Sequence, residues 1–309
     1  MIYKMNRLIV YLISFLIGSS AIAADSKSAN KDKPNLIYEV KSGKSVMKIS
    51  ANGGRIISFK YDQKEILTQS SEHENFGSTL WTAPQSNWGW PPFDVLDNQK
   101  YKVVKVGNIL KMTSDPDSKS GFQLEKTWQA VENNSIRIEY LIKNISGKAK
   151  SVGPWEVTRV PCGGLVFFPD GGKGKVPDSN LKPDLQKDGI KWVSINKNPI
   201  PNHQKLFSTG GEGWMAYAFD GCLFIKQFPD IQPENYSPQQ GEVEIYINKE
   251  KSYTELENQG AYRLLQPGES IEYIVNWYLA PIPETVKIEV GSQELVSFAR
   301  KQMIQTKNK

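Results

Sequence analysis

FQLEKTWQAVENNSIRIEYLIKN, residues Phe122–Asn144, decides the architecture. Ile136, Ile138, Tyr140 and Ile142 alternate with Arg137, Glu139 and Lys143, a period of two that turns one face to a core and the other to water. Asn133-Asn134 breaks the run with residues that tolerate positive φ, as a hairpin turn requires. The same texture continues outward on both sides. Upstream, Leu36–Val40, Ser45–Ile49 and Ile56–Tyr61 are rich in β-branched or aromatic residues and separated by turn residues such as Asn52-Gly53-Gly54. Asp62-Gln63-Lys64 closes a hairpin into Glu65–Leu67, and Gly107-Asn108 joins Tyr101–Val106 to Ile109–Thr113. Downstream, Trp214–Phe219, Cys222–Gln227, Glu242–Ile247, Tyr253–Asn258 and Ser270–Leu279 read as further strands. Between them, Pro169–Gly213 is dominated by Gly, Pro, Lys and Asp and reads as a long irregular segment with one short strand at Lys191–Ile195. Ser292–Gln305 is the one helical pattern, with Leu295, Phe298, Ala299 and Met303 on a stripe. There is no repeat of fixed period. The pattern predicts an all-β chain, a large antiparallel sandwich with a short C-terminal helix.

The first residues have another character. Lys4 and Arg7 precede an apolar run over Leu8–Ile17, and Ala21-Ile22-Ala23 follows, the layout of a secretory signal peptide over residues 1–23. The run is short for a membrane anchor. We therefore expect an exported protein, periplasmic or secreted and free of the membrane after cleavage. A polar leader over 24–34, a sandwich domain over 35–285 and a tail with the helix over 286–309 complete the division. The net charge of +5 falls to +3 without Lys4 and Arg7, and no run of like charges points to nucleic acid. Cys162 and Cys222 lie in apolar strand contexts that favour buried free thiols over a disulfide. Two cysteines and two histidines argue against structural zinc, and no calcium-loop spacing is present. We expect no metal and no cofactor, and a monomer.

The candidate site centres on NFGSTLWTAPQSNWGWPP, Asn75–Pro92. Its Gly and Pro residues suit an irregular segment, and it carries Trp81, Trp88 and Trp90 beside the amides Gln85 and Asn87. Flat apolar rings take the C–H face of a sugar and amides take its hydroxyls. The alternative is that the tryptophans plug one end of the sandwich.

Together with GGRIISFKYDQKEIL (Gly53–Leu67) and EVEIYINKEKSYTELENQGAYRLLQPGESIEYIVNWYL (Glu242–Leu279), this stretch resembles the bacterial family known as domain of unknown function 4380. The resemblance extends over roughly Asn35–Pro281. It implies a galactose mutarotase-like supersandwich and carbohydrate binding, with mono- or oligosaccharides as partners, without fixing a reaction. In the related aldose 1-epimerases a late glutamate is the base and a histidine on a central strand is the acid.

Glu255 and Glu257 match the glutamate; two apart on a strand, they share one face with Leu256 opposite. Glu257 is the first choice of base because Asn258-Gln259-Gly260 then ends the strand. The histidine has no counterpart. Val152–Phe168, the corresponding region, offers Trp155, Glu156 and Arg159 instead, and Glu156 or Lys226 is the substitute acid. His203 lies in the irregular segment and matches by accident; His73 reads as a solvated loop residue. Arg55 and Arg159 are candidate donors to hydroxyls or a uronate, with a local ion pair the alternative for each. Glu156 and Arg159, three apart, face opposite ways on a regular strand. Lys226 interrupts an apolar strand and points either into a site or outward. Three functions remain open: an aldose-epimerase-like isomerase, a non-catalytic carbohydrate-binding module of a polysaccharide-utilising system, and a structural sandwich without a sugar site.

Overall fold

In the computed structural model, residues 36–172 and 174–304 are described; the expected signal peptide, the leader and Gln305 lie outside them. The first strands are β1 (Ile37–Ser42), β2 (Ser45–Ser50), β3 (Arg55–Tyr61), β4 (Lys64–Glu65) and β5 (Ser78–Ala83), followed by the one-turn helix α1 (Asp94–Asp97). Next come β6 (Lys102–Val106), β7 (Ile109–Thr113), β8 (Phe122–Val131), β9 (Ser135–Asn144) and β10 (Lys150–Val160). The middle of the chain forms β11 (Leu165–Pro169), β12 (Leu185–Lys187), β13 (Ile190–Ser194), β14 (Gln204–Ser208), β15 (Trp214–Phe219) and β16 (Cys222–Gln227). Then follow β17 (Val243–Ile247), β18 (Thr254–Gln259), β19 (Arg263–Leu265), β20 (Ser270–Pro281) and the helix α2 (Gln293–Ile304).

Two antiparallel sheets result. The first runs β1-β2-β3-β5-β10-β18-β17-β14, and the second runs β12-β13-β11-β15-β16-β20-β9-β8-β7-β6. The all-β sandwich with a C-terminal helix is therefore present. Alternation builds the core between the sheets: Ile136, Ile138, Tyr140 and Ile142 of β9 are all buried, while Arg137 and Glu139 are half exposed. Phe59 of the first sheet meets Phe224 and Trp277 of the second at ring-centroid distances of 5.9 and 5.6 Å. On the far face of the second sheet, Leu295, Val296, Ala299 and Met303 of α2 pack in one cluster with Phe167, Trp192 and Trp214. Cys162 and Cys222 are free, buried thiols.

Two segments depart from expectation. Asn75–Pro92 is not loop throughout, because Ser78–Ala83 is an interior strand with every residue buried. Its Gly77 and Pro84 flank the strand rather than interrupt it. Pro169–Gly213 holds three strands besides the end of β11, and β14 forms an edge of the first sheet. Both strands are short, and their neighbours rather than their composition hold them in place.

One charged pair crosses the core. Glu156 of the first sheet and Lys226 of the second are wholly buried and meet at 2.9 Å. Tyr140 Oη donates to Glu156 at 2.6 Å and Trp277 Nε1 at 3.3 Å, while Lys226 donates to Thr158 at 2.8 Å and to the Leu256 carbonyl at 3.0 Å. Burial lowers the affinity of Lys226 for its proton, and Glu156 opposes that shift. Such a pair is costly to break singly, since the partner is stranded as an uncompensated charge. Lys226→Met should cost about 3–5 kcal/mol in urea denaturation, with Glu156→Gln/Lys226→Met recovering most of it. An equal loss in the double variant would show that the stranded charge is not the cause.

Candidate functional site

The register of the first sheet aligns side chains from four neighbouring strands on its outer face. One row is Arg159, Glu255, Tyr246 and Lys205, paired in turn across β10, β18, β17 and β14. The next is Val157, Glu257, Glu244 and Phe207. Trp155 and Trp81 face each other across β10 and β5. Leu256, between the two glutamates, lies in the core, as a period of two demands.

Above these rows opens a cleft of about 620 Å³. Trp81, Trp90, Trp155, Tyr246 and Tyr253 supply aromatic surface, and Gln85, Asn75 and Asn248 supply amides. Trp90 is 62% exposed, whereas Trp81 and Trp155 sit in the floor with ring centroids 5.2 Å apart, edge to face. Trp88 stands behind them: its ring packs on Trp81 and Phe93, and Nε1 donates to the Thr82 carbonyl at 2.7 Å. It is support rather than cleft wall.

The charged floor is closely paired. Lys205 bridges Glu244 at 2.8 Å and also holds Glu257, whose other oxygen accepts from Trp155 Nε1 at 2.8 Å. Arg159 Nε donates to Glu255 at 2.9 Å, and its guanidinium lies 5.2 Å from the Trp81 ring centroid. Burial alone would lower the affinity of Lys205 for its proton, but Glu244, Glu257 and Glu255 outweigh it and hold the ammonium above its usual range. Burial pushes the carboxyls of Glu244 and Glu255 upward, against Lys205 and Arg159 respectively. Glu244, Glu255 and Glu257 thus share Lys205 and Arg159 in a dry setting.

The predicted residues divide. Glu255, Trp81, Gln85, Trp90 and Trp155 line the cleft. Glu257 is fully buried within a strand that runs on to Gln259, beneath Trp155 and Lys205, and Arg159 is likewise beneath the surface. Glu156 and Lys226 are corrected outright, because they lie on the core side of the sheet and pair with each other. Arg55 lines a neighbouring cleft instead.

Both histidines reach the cleft, contrary to the sequence reading. His203 just precedes β14 and stacks on Tyr246 at 5.4 Å, and His73 packs on Tyr253 at 4.8 Å. Asn75 N–H donates to His73 Nδ1 at 2.8 Å, and Lys249 N–H donates to His203 Nδ1 at 3.2 Å. An N–H pointed at Nδ1 places the neutral proton on Nε2, so each ring is arranged as a donor. Lys205, Tyr246 and Tyr253 were also missed. The alternation of Lys205 with Phe207 was the available signal. Among the described residues no three His, Cys, Asp or Glu side chains converge as metal ligands.

Asp97 ties the aromatic wall to the sheet. One oxygen accepts from Thr79 at 2.8 Å and from Trp81 Nε1 at 3.0 Å, and the other pairs with Arg55 at 2.8 Å. Burial would raise its pKa, but Arg55, Thr79 and Trp81 prevail and hold it below the usual carboxylate value. A depressed carboxyl contributes stability above its unfolded pKa of about 4 and loses it as pH falls through the lower folded value. Asp97→Asn should therefore cost about 1–3 kcal/mol at pH 6, measured by urea denaturation, and the gap to wild type should shrink as pH falls from about 4 to about 2. A gap independent of pH would show that Asp97 is not ionised in the folded protein.

Comparison with known proteins agrees with the fold. A galactose mutarotase related enzyme from Lactobacillus acidophilus superposes with a TM-score of 0.58 at 11% identity, over 82% of this chain and 100% of that one. A galactose mutarotase-like protein from Lactobacillus casei gives 0.55 at 10% identity, over 79% and 100%. Another from Clostridium acetobutylicum gives 0.51 at 12%, over 80% and 99%. No curated protein sequence matches this chain. Residues 57–280 match the family described as domain of unknown function DUF4380, and the chain belongs to that family, with a galactose mutarotase-like fold.

Proposed function

We propose that the outer-face cleft binds a saccharide and that this chain is an exported carbohydrate-binding protein. The observation that carries the reading is the pairing of exposed and floor-level aromatic rings with amide and imidazole donors around one cleft. Trp90 offers a flat surface to a sugar's C–H face, and Gln85, Asn75 and Asn248 suit its hydroxyls. Both imidazoles, fixed as Nε2 donors, suit sugar oxygens as acceptors. Galactose mutarotase-like neighbours make a carbohydrate the natural ligand class.

Binding without turnover is the better supported form of this reading. An epimerase needs a base and an acid free to exchange protons. Here Glu257 is sealed under Lys205 and Trp155, and Glu255 is held by Arg159. One observation favours the second reading, aldose 1-epimerase-like turnover: burial pushes the Glu255 carboxyl upward against Arg159, and Glu255 lines the cleft.

Titration of tryptophan fluorescence with mono- and oligosaccharides should give saturable quenching. Trp90→Ala should weaken binding about tenfold, equivalent to about 1.4 kcal/mol of lost stacking and burial. No response to any saccharide would overturn the reading. Polarimetry on freshly dissolved sugars separates its two forms, since catalysed anomer interconversion that Glu255→Gln abolishes would establish the epimerase.

A further inference from the structure

Next to the aromatic cleft lies a second of about 450 Å³. Both volumes fall within the range of about 300–1,000 Å³ typical of small-molecule sites. Arg55 and Asp97 form its floor, and Ser50, Asn52, Gln69 and Asn98 stand around it. Glu74 lines both clefts, and the short segment that carries it contributes His73 and Asn75 to one side and Phe76 to the other. Asp97 joins them mechanically, holding Arg55 of the second cleft with one oxygen and Trp81 of the first with the other.

The chemistry of the two clefts differs in a useful way. The first is rich in rings; the second has hydroxyl and amide groups, the aliphatic side chains of Ile37 and Ile57, and one ring, Phe76, which lies 5.6 Å from the Arg55 guanidinium. Arg55 and Asp97 neutralise each other at 2.8 Å. Among the described residues Glu74 is then the one charge in the lining with no ion pair, so an anionic sugar gains nothing there. A hydroxyl-rich neutral unit fits.

Resting on the saccharide reading above, we infer that the ligand is an oligosaccharide of at least two units. One unit stacks in the aromatic cleft and a neutral neighbour occupies the second cleft, with Glu74 at the junction accepting hydroxyl hydrogen bonds from either. The second cleft is a subsite for chain length, and the first supplies the grip.

The test is a fluorescence titration across cello-, malto- and galacto-oligosaccharides of one to four units, with the matching uronate oligomers as a charged comparison. For the series that binds, Kd should fall at least tenfold between one unit and two or three, and uronate should bring no gain. Ser70 is exposed at the rim of the second cleft, so Ser70→Trp adds bulk there without opening the core. It should remove the gain from chain length and leave monosaccharide Kd within twofold, with Ser70→Ala behaving as wild type and thermal melting confirming the fold of both. Equal affinity for one and several units, or a length gain that survives Ser70→Trp, overturns the subsite while leaving saccharide binding intact. Binding of no saccharide overturns both.

Discussion

The site depends on the carboxylate of Asp97. Carried on a single helical turn, it accepts hydrogen bonds from Thr79 and Trp81 of an interior strand and pairs with Arg55 at the start of β3. The backbone is fitted to the same point. Gly53 has φ +68°, and a side chain there would place its Cβ 1.9 Å from the Asp97 carbonyl oxygen. From the other sheet, Lys126 reaches through the core to donate to the Gly53 carbonyl at 2.7 Å. Gly-Gly-Arg is therefore more than a turn signal. It is where the helical turn, the first sheet and a buried lysine of the second sheet close on one another.

Charge is arranged in two layers on either side of the central strand β10. Odd-numbered Trp155, Val157 and Arg159 face the cleft, and even-numbered Glu156 and Thr158 face the core. Glu156 with Lys226 serves the contact between sheets, whereas Arg159 with Glu255 serves the cleft. Both pairs are buried, where removing one partner is far costlier than removing both. Alternation along one strand thus separates structural charge from candidate functional charge, and a period of two is enough to enforce it.

That separation explains what was legible in the sequence. The sandwich was readable because β8, β9 and β20 are long and alternate cleanly. Glu255 and Glu257 were readable as a same-face pair for the same reason. Strand β5 was not: its six residues lie between Gly77 and Pro84 and are held by β10, so local composition pointed to loop. Strand β14 was missed similarly, and with it Lys205 and the placement of His203. Whether Lys226 faced in or out was undecidable from alternation alone, since a lysine among Phe224 and Ile225 fits both. Only the opposing sheet, which supplies Glu156, decides it. Arg55 lines the neighbouring cleft and pairs with Asp97, the local ion pair that was its alternative, because sequence spacing carries no record of the wall formed by residues 73–76.

The floor of the aromatic cleft shows how a charged cluster and a stacking surface coexist. Lys205 is strongly paired, yet its ammonium also lies 5.8 Å from the Trp155 ring centroid and 5.5 Å from that of Phe207. A cation under a ring strengthens the hold on that ring without offering the charge to solvent. The carboxylates are then spent on Lys205 and Arg159 rather than presented to a ligand, and the imidazoles are engaged at Nδ1, His73 by the Asn75 N–H and His203 by the Lys249 N–H and the Tyr246 hydroxyl. What faces the cleft is consequently aromatic surface and neutral donors, with Glu255 and Glu74 as the carboxylates at its wall. These are the groups that the proposed saccharide binding draws on, by stacking and hydrogen bonding. Glu255, paired with Arg159, is the member of the buried carboxylate group that also lines the cleft.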